Sequence, residues 1–359
     1  MKIGLIGLPK SGKTTIFNAL TGMDIEVSAY SQGESEPNQS IINVVDERIT
    51  KLSEMYNPKK TIYATIEYID FAGVNKSDQK QELMSGQGMV LLKNTDALAL
   101  VARKFSDSVL DEMYGEADPV AEIDTIEAEM IISDLIIAEK RLEKIALSYK
   151  RGIKTPALQI EEKAINSVIE HLNAEKSLRS LELPEEEEKA IRGFQFISKK
   201  PLLVILNTDE NHYHQNQDII NQLQDKYPIL EFAGKFESEL NGLDEDEKEV
   251  FMEDMGIVDS ARDTLTKFSY DILGYLSFFT VGSDEVRAWT IEKNSNAVEA
   301  AGKIHSDLAR GFIRAECFNY DDLISLGSEK ALRDKGLFRL EGKTYLVKDG
   351  DILNIRFNV

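Results

Sequence analysis

The sequence has 359 residues, 42% of them hydrophobic, which is enough to bury a full core, and a formal charge of −21 at pH 7. This charge disfavours DNA and other nucleic-acid partners unless basic residues are segregated on one face of the molecule. A single cysteine, Cys317, excludes an intramolecular disulfide, and no apolar run reaches the ~18 residues of a membrane span, so the sequence predicts a cytoplasmic protein.

The first predicted element is an apolar strand at Ile3, Leu5 and Ile6, followed by a phosphate-binding loop. Residues 7–14 satisfy G-x-x-x-x-G-K-[ST], in which the glycines allow successive backbone N–H groups to converge on phosphates. The next helix adds the positive end of its dipole. The residues predicted to contact a nucleotide here are Leu8, Pro9, Lys10, Ser11, Gly12, Lys13, Thr14 and Thr15.

Two side chains of this loop have predicted chemical roles. Lys13 places its ammonium against the β- and γ-phosphates, which makes it a predicted catalytic residue. The Thr14 hydroxyl is positioned to ligate Mg²⁺.

A polar connection at residues 24–39 leads to a predicted strand at 41–45 and a short helix at 46–52. An alternating strand at 65–70 then ends in Asp70-Phe71-Ala72-Gly73, a D-x-x-G sequence. A carboxylate at the end of a strand beside a phosphate loop is where a Mg²⁺ partner belongs. We therefore predict Thr14 and Asp70 as metal residues, and Gly73 as a catalytic residue whose N–H contacts the γ-phosphate.

Another buried strand is predicted at residues 96–101. From residue 118 the sequence shows helical periodicity instead of a strand pattern. Apolar residues step by four and three from Ile131 to Tyr149, which is coiled-coil spacing, and the pattern resumes at Ile165 after a break at 152–156. These features predict a long antiparallel helical hairpin inserted between two strands of the sheet.

The sheet returns at residues 201–206 with a continuous apolar run, typical of a parallel strand covered on both faces. This strand runs into Asn207-Thr208-Asp209-Glu210, and a later strand at 229–232 runs into Ala233-Gly234-Lys235. We predict that Asn207 and Glu210 border the base of a nucleotide. Ala233, Gly234 and Lys235 are assigned to the same site.

Residues 277–359 predict a separate β-rich unit, with strands at 278–281, 286–291, 312–317, 344–347 and 352–357 and one helix over 296–309. Its charges are nearly balanced, so the acidic excess lies upstream. This unit is therefore the better candidate for a surface that faces RNA or the ribosome.

Four stretches in this order, the phosphate loop, 70–73, 207–210 and 233–235, resemble the translation-factor-related GTPases. Residues 36–38, 118–123, 199–201, 285–291, 311–316 and 349–359 narrow the resemblance to the YchF branch, the Obg-like ATPases. The resemblance implies an α/β fold with a doubly wound P-loop nucleotide-binding domain (1–117 and 200–276). It also implies an inserted antiparallel coiled-coil hairpin (118–199), a C-terminal β-grasp-like TGS domain (277–359), slow hydrolysis with ATP preferred to GTP, and ribosome association.

The residues offer a physical reason for the base preference. A guanine-specific N-K-x-D sequence uses its Asp to accept two hydrogen bonds from guanine. Here Thr208 replaces the Lys and the longer Glu210 replaces the Asp, and a site without those bonds loses most of its discrimination for guanine.

The sequence also departs from the family pattern. Lys10 stands where Asn is common, an Asn that in some related GTPases helps to hold a potassium ion. Its ammonium either supplies that positive charge directly, which makes Lys10 a candidate catalytic residue, or is a solvated loop lysine. Glu34 and Ser35 replace the usual Mg²⁺-binding Thr, and Val74 replaces the Gln that orients water in Ras-like enzymes.

Two functions from different classes remain open. The first is a slow ATPase that uses Mg²⁺, binds ATP or GTP, and acts as a nucleotide-state switch on the ribosome or ribosomal RNA. The second is an adaptor that binds ribosomes or RNA and uses the nucleotide without turnover. A metabolite kinase is a weaker third, because nothing in the sequence resembles a lid over a second substrate.

Overall fold

The computed structural model describes residues 1–25, 37–71, 86–254, 256–257 and 260–358. Contacts divide the chain into two compact units, Met1–Ile41 with Glu67–Arg262 and Ile42–Ile66 with Asp263–Val359. Five residues named above, Glu34, Ser35, Ala72, Gly73 and Val74, lie outside the described residues. Within the described ranges, no helix is both long and apolar enough to cross a membrane.

The strands are β1 (Lys2–Ile6), β2 (Asn38–Asn43), β3 (Lys60–Ile62), β4 (Thr65–Asp70), β5 (Ala97–Arg103), β6 (Leu202–Asn207), β7 (Ile229–Phe232), β8 (Tyr275–Thr280), β9 (Glu285–Glu292), β10 (Phe312–Asn319), β11 (Arg339–Glu341) and β12 (Asp351–Phe357).

The helices are α1 (Lys13–Thr21), α2 (Glu47–Tyr56), α3 (Gly86–Lys93), α4 (Ser108–Tyr114), α5 (Pro119–Lys150), α6 (Pro156–Asn173), α7 (Glu185–Ile191), α8 (Gln217–Leu223), α9 (Gly234–Leu240), α10 (Glu245–Asp254), α11 (Ala261–Ile272), α12 (Ala297–Ile304), α13 (Ser306–Arg310), α14 (Tyr320–Leu326) and α15 (Glu329–Asp334). Short 3₁₀ turns occupy Leu178–Ser180, Arg192–Phe194 and Glu210–His212.

The first unit is built on a sheet in the order β2-β4-β1-β5-β6-β7. From β4 to β7 each neighbouring pair of strands is parallel, and β5 and β6 are buried along their whole length. Parallel strands place their carboxyl ends at one edge of the sheet, which is where ligands bind in such folds. Gly7, Asp70, Asn207 and Ala233 all lie at or next to this edge.

The predicted helical hairpin is formed by α5 and α6. Each helix begins with proline after a capping side chain, Asp118 for α5 and Thr155 for α6, and Gly152 with a φ of 79° lies in the turn between them. The first turns of α5 pack Ile123 against the sheet in one core. Residues of α5 between Ile131 and Leu142 pack with α6 and α7 in a second core around Ala138 and Ile165.

The second unit contains a sheet in the order β11-β10-β12-β8-β9-β3. Its edge strand β3 comes from the amino-terminal half of the chain and pairs in parallel with β9, with Lys60 opposite Glu285. The sequence predicted no strand at β3, since three residues carry too weak a pattern. The predicted domain limits at 117, 199 and 276 stay predictions.

Two predicted elements of the second unit were wrong. Residues 344–347 form only an isolated antiparallel bridge, between Leu346 and Asn296, in which the Tyr345 carbonyl accepts the Ala297 N–H at 2.9 Å and the Val347 N–H donates to the Ser295 carbonyl at 3.0 Å. The helix predicted over 296–309 is two helices, since His305 is extended (φ −164°) and its side chain caps α13. The fold class itself is confirmed: an α/β P-loop domain with a helical hairpin and a β-rich C-terminal unit.

Candidate nucleotide-binding site

The phosphate loop connects β1 to α1 and requires both of its glycines. Gly7 has a φ of 150°, and a Cβ there would lie 2.4 Å from the Val101 carbonyl oxygen. Gly12 has a φ of 93°, and a Cβ there would lie 2.0 Å from Nδ2 of Asn207. A side chain at Gly7 would clash with the backbone of β5, one at Gly12 would displace the Asn207 side chain, and both would have to adopt a positive φ.

The Lys13 ammonium lies inside the loop. Its Nζ donates to the carbonyl oxygens of Gly7 at 3.0 Å and Leu8 at 2.8 Å, and the residue is 5% exposed. Burial lowers the pKa of Lys13 to about 8, although the charges of Asp70 and Glu122 oppose the shift. A desolvated ammonium is stabilised by an anion that comes close to it, so this lysine is prepared for phosphate.

The two predicted metal residues are in direct contact. The Thr14 hydroxyl donates to Oδ2 of Asp70 at 2.8 Å, and Asp70 is fully buried. Asn38 Nδ2 lies 3.5 Å from the same carboxylate oxygen. A hydroxyl and a carboxylate beside a phosphate loop suit Mg²⁺, which keeps several waters and binds through few protein oxygens plus phosphates.

Asn207 joins three parts of the site. Its Nδ2 donates to the Ser11 carbonyl at 2.9 Å, and its Oδ1 accepts the Gly234 N–H at 3.3 Å. The side chain is buried, and a Cβ on Gly234 would lie 2.6 Å from it. Asn207 thus fixes the phosphate loop against the start of α9. The prediction that Asn207 also contacts the base stays a prediction.

The other loop residues surround this centre. Pro9 is exposed and Leu8 is half-buried against the core under the sheet. The Ser11 hydroxyl is buried and has no hydrogen-bond partner in the described part of the chain, so a phosphate oxygen could serve as one. Lys10 has a φ of 68°, a left-handed conformation that is uncommon outside glycine.

The residues predicted on the base side are more exposed. Glu210 begins a 3₁₀ turn and faces solvent, whereas its neighbour Asp209 caps that turn and accepts from His212 Nδ1 at 2.7 Å. Ala233 is buried at the start of α9. The Lys235 side chain is 83% exposed, with its Nζ 3.9 Å from Glu239.

Sequence reasoning assigned no role in the site to Glu122 and Arg103. Glu122 lies in the first turn of α5, where its Oε2 accepts the Arg103 N–H at 2.9 Å. Burial raises the pKa of Glu122, opposed by that hydrogen bond and by the charges of Arg103 and Lys13. The helical hairpin therefore brings a carboxylate within electrostatic range of Lys13. Glu122 lies in residues 118–123, one of the stretches that resemble the YchF branch. That resemblance was the one sequence feature from which its place in the site could have been predicted.

Comparison with known proteins agrees with this geometry. A family model described as 50S ribosome-binding GTPase matches residues 2–140, and the YchF GTPase C-terminal model, described as a protein of unknown function (DUF933), matches residues 275–358. The ribosome-binding ATPase YchF of Bacillus subtilis is 37% identical over 99% of this chain and 99% of its own length. The chain belongs to the YchF family. The Escherichia coli O157:H7 ribosome-binding ATPase YchF is 33% identical, with 100% and 99% of the two chains covered.

Two solved structures share the fold of this chain. The Schizosaccharomyces pombe YchF GTPase matches with a TM-score of 0.84 and 27% identity over 99% of this chain and 97% of that one. A GTP binding protein from Pyrococcus horikoshii has a TM-score of 0.63 at 18% identity over 100% of both chains, a likeness of fold alone. The predicted family and fold are thus confirmed.

Proposed function

We propose that this protein is a slow Mg²⁺-dependent ATPase of the cytoplasm, which binds ribosomes and changes its interactions with its nucleotide state. The observation that carries the proposal is the buried Lys13 ammonium, held on loop carbonyls beside the Thr14–Asp70 contact. Ribosome binding is proposed because the relatives are named ribosome-binding ATPases and match this chain along essentially their whole length.

Each loop residue has a defined part in this proposal. Lys13 exchanges its carbonyl partners for phosphate oxygens, and the loop N–H groups neutralise the remaining charge. Thr14 and Asp70 would hold Mg²⁺, which supplies charge neutralisation on the phosphates when it is bound. Gly73 contacts the γ-phosphate, and Asn207 keeps the loop in its binding conformation.

Turnover is expected to be slow, far below the ~1–100 s⁻¹ of kinases. Val74 carries a hydrocarbon side chain at the position from which related GTPases orient water, so it cannot accept or donate a hydrogen bond.

Single-turnover release of phosphate from ATP tests the enzymatic part of the proposal. Wild-type protein should release phosphate over minutes to hours, and the Lys13→Ala variant should not. Release no faster than that of Lys13→Ala would leave the alternative, an adaptor that binds ribosomes or RNA with a nucleotide that it does not hydrolyse.

The Glu210→Asp variant is expected to lower the ATP-over-GTP affinity ratio about tenfold, equivalent to ~1.4 kcal/mol. The shorter carboxylate restores the acceptor geometry that reads guanine, and Glu210 is exposed, so the fold should tolerate the change. Titration with both nucleotides measures the ratio. Glu210→Gln is the control and should gain nothing for GTP. An unchanged ratio in Glu210→Asp would remove Glu210 from the base site.

Lys10 is proposed to supply positive charge to the phosphates in place of a potassium ion. Its charge lies close enough to Lys13 to lower the pKa of that lysine. We expect ATP hydrolysis by the wild type to be equal in potassium and sodium chloride. Lys10→Asn should gain potassium stimulation of about tenfold or more, whereas Lys10→Ala should lose activity without a potassium response. Potassium stimulation of the wild type would contradict this role.

A further inference from the structure

A cavity of about 340 Å³ lies at the edge of the first unit's sheet opposite the phosphate loop. Its walls are the residues that precede β5 and β6, the last turn of α7 and the segment that follows α7. The charged residues that line it are Lys93, Asp96, Glu188, Arg192, Lys199 and Lys200. Strand β5 has seven residues, so at ~3.3 Å per residue the two edges lie roughly 20 Å apart. The cavity is therefore not part of the nucleotide site.

Positive charge is concentrated in this cavity although the chain has a formal charge of −21. Both of its carboxylates already have donors. Glu188 accepts a hydrogen bond from the Lys199 ammonium, and Asp96 Oδ2 accepts the backbone N–H of Lys2 at 2.7 Å. The unneutralised charge of the lining is positive.

The Lys200 ammonium is held in the wall of the cavity. Its Nζ donates to the Lys93 carbonyl at 2.9 Å and to the Thr95 carbonyl. The Lys200 carbonyl in turn accepts from Arg179 NH1 at 3.4 Å. Two of the three N–H donors of the ammonium are thereby used. Burial lowers the pKa of Lys200, opposed by the charges of Asp96 and Asp134, and an anion in the cavity would further stabilise its charged form.

Two further cations line the cavity, and one of them, Lys93, also interacts electrostatically with the buried Asp134 carboxylate. Neither the Lys93 ammonium nor the Arg192 guanidinium makes an ion pair or a side-chain hydrogen bond in the ranges that the structure describes. A guanidinium offers a planar fork of donors that matches two oxygens of one phosphate, and an ammonium adds a point charge. A cavity with these groups disfavours metal cations and favours an anion with several oxygens.

We propose that this cavity binds phosphate groups, either those of an RNA backbone or those of a free polyphosphate. Lys93, Arg192 and Lys200 contact the phosphate oxygens. Glu188 holds the Lys199 ammonium in position beside them. The inference goes beyond the proposed function, because it uses no residue of the phosphate loop and requires no hydrolysis.

The test uses the full chain carrying Lys13→Ala, so that the phosphate loop cannot bind either probe. The probes are a short fluorescent single-stranded RNA and labelled inorganic pyrophosphate. Lys93→Gln with Arg192→Gln is the cavity variant. Lys140→Gln with Lys226→Gln is the control, since both lysines are exposed and the same charge is removed.

We expect the cavity variant to bind about tenfold more weakly than the control. Its salt slope should fall by ~1.4, at ~0.7 per phosphate contact.

The two sources of phosphate give different results. RNA binding that pyrophosphate competes with assigns the RNA backbone, and pyrophosphate binding without RNA binding assigns a free polyphosphate. Equal binding by the cavity variant and the control, or no binding of either probe by the Lys13→Ala chain, overturns the proposal. With Lys13 intact, the cavity variant should keep its ATP affinity within about twofold, so failure of the proposed function is seen separately.

Discussion

Replacement of Lys13 by methionine is expected to weaken ATP binding more than about 100-fold while the nucleotide-free protein becomes more stable by about 1–2 kcal/mol. The pKa of Lys13 falls from 10.5 to about 8, which corresponds to a net cost of about 3 kcal/mol for the charged ammonium in the folded protein at neutral pH. Loss of the hydrogen bonds to the Gly7 and Leu8 carbonyls offsets part of the gain. Calorimetry and urea unfolding measure the two effects.

The pH dependence of this gain has a defined sign. Because the folded pKa of Lys13 lies below the unfolded one, the unfolded chain binds more protons between about pH 8 and 10.5. Wild-type stability relative to Lys13→Met should therefore rise with pH across this window. Bound phosphates raise the pKa of Lys13, so ATP binding near pH 8.5 should take up protons. Titration in two buffers of different ionisation enthalpy detects that uptake.

Lys13→Arg is the matched control, since it keeps a positive charge in the loop. It should lose affinity without gaining stability. A nucleotide-free Lys13→Met protein that is less stable than the wild type at pH 7 would show that Lys13 is a structural member of the loop rather than a strained phosphate ligand.

The Asn207→Ala variant is expected to lower the free energy of unfolding by about 2–4 kcal/mol and to weaken ATP binding more than about tenfold. The change removes the donor to the Ser11 carbonyl and the acceptor of the Gly234 N–H, both in a buried position. The phosphate loop then loses its attachment to α9. Urea unfolding and nucleotide titration give the two numbers.

Asn221→Ala is the control for this effect. Asn221 lies on the exposed face of α8, where its Oδ1 accepts from Gln217 and Gln224. It should change stability by no more than about 0.5 kcal/mol. If Asn207→Ala is as stable as Asn221→Ala but binds ATP poorly, Asn207 acts on the nucleotide directly, as the sequence predicted.

The centre of the candidate site could be predicted because short stretches of sequence determine its chemistry. The phosphate loop has a fixed spacing, and Asp70 follows a strand that reads clearly from its alternation. Their contact then follows from the parallel sheet, which places the ends of β1 and β4 side by side.

The remaining features depend on contacts that local patterns do not encode. The Glu122 carboxylate comes within electrostatic range of Lys13 because the first turns of α5 pack on the sheet. Strand β3 is three residues long and is stabilised by pairing with β9 far along the chain. The sequence pattern around Tyr345 and Val347 predicts a strand, but their backbone groups form hydrogen bonds with Ala297 and Ser295, at the start of α12.

Calorimetric titration of ATP and of GTP, each with Mg²⁺, into the folded protein tests the central claim most directly. We expect saturable heat with at least one purine triphosphate, tighter binding of ATP than of GTP, and no heat with Lys13→Ala. No heat and no thermal stabilisation with either nucleotide would contradict the account, and so would equal binding by Lys13→Ala.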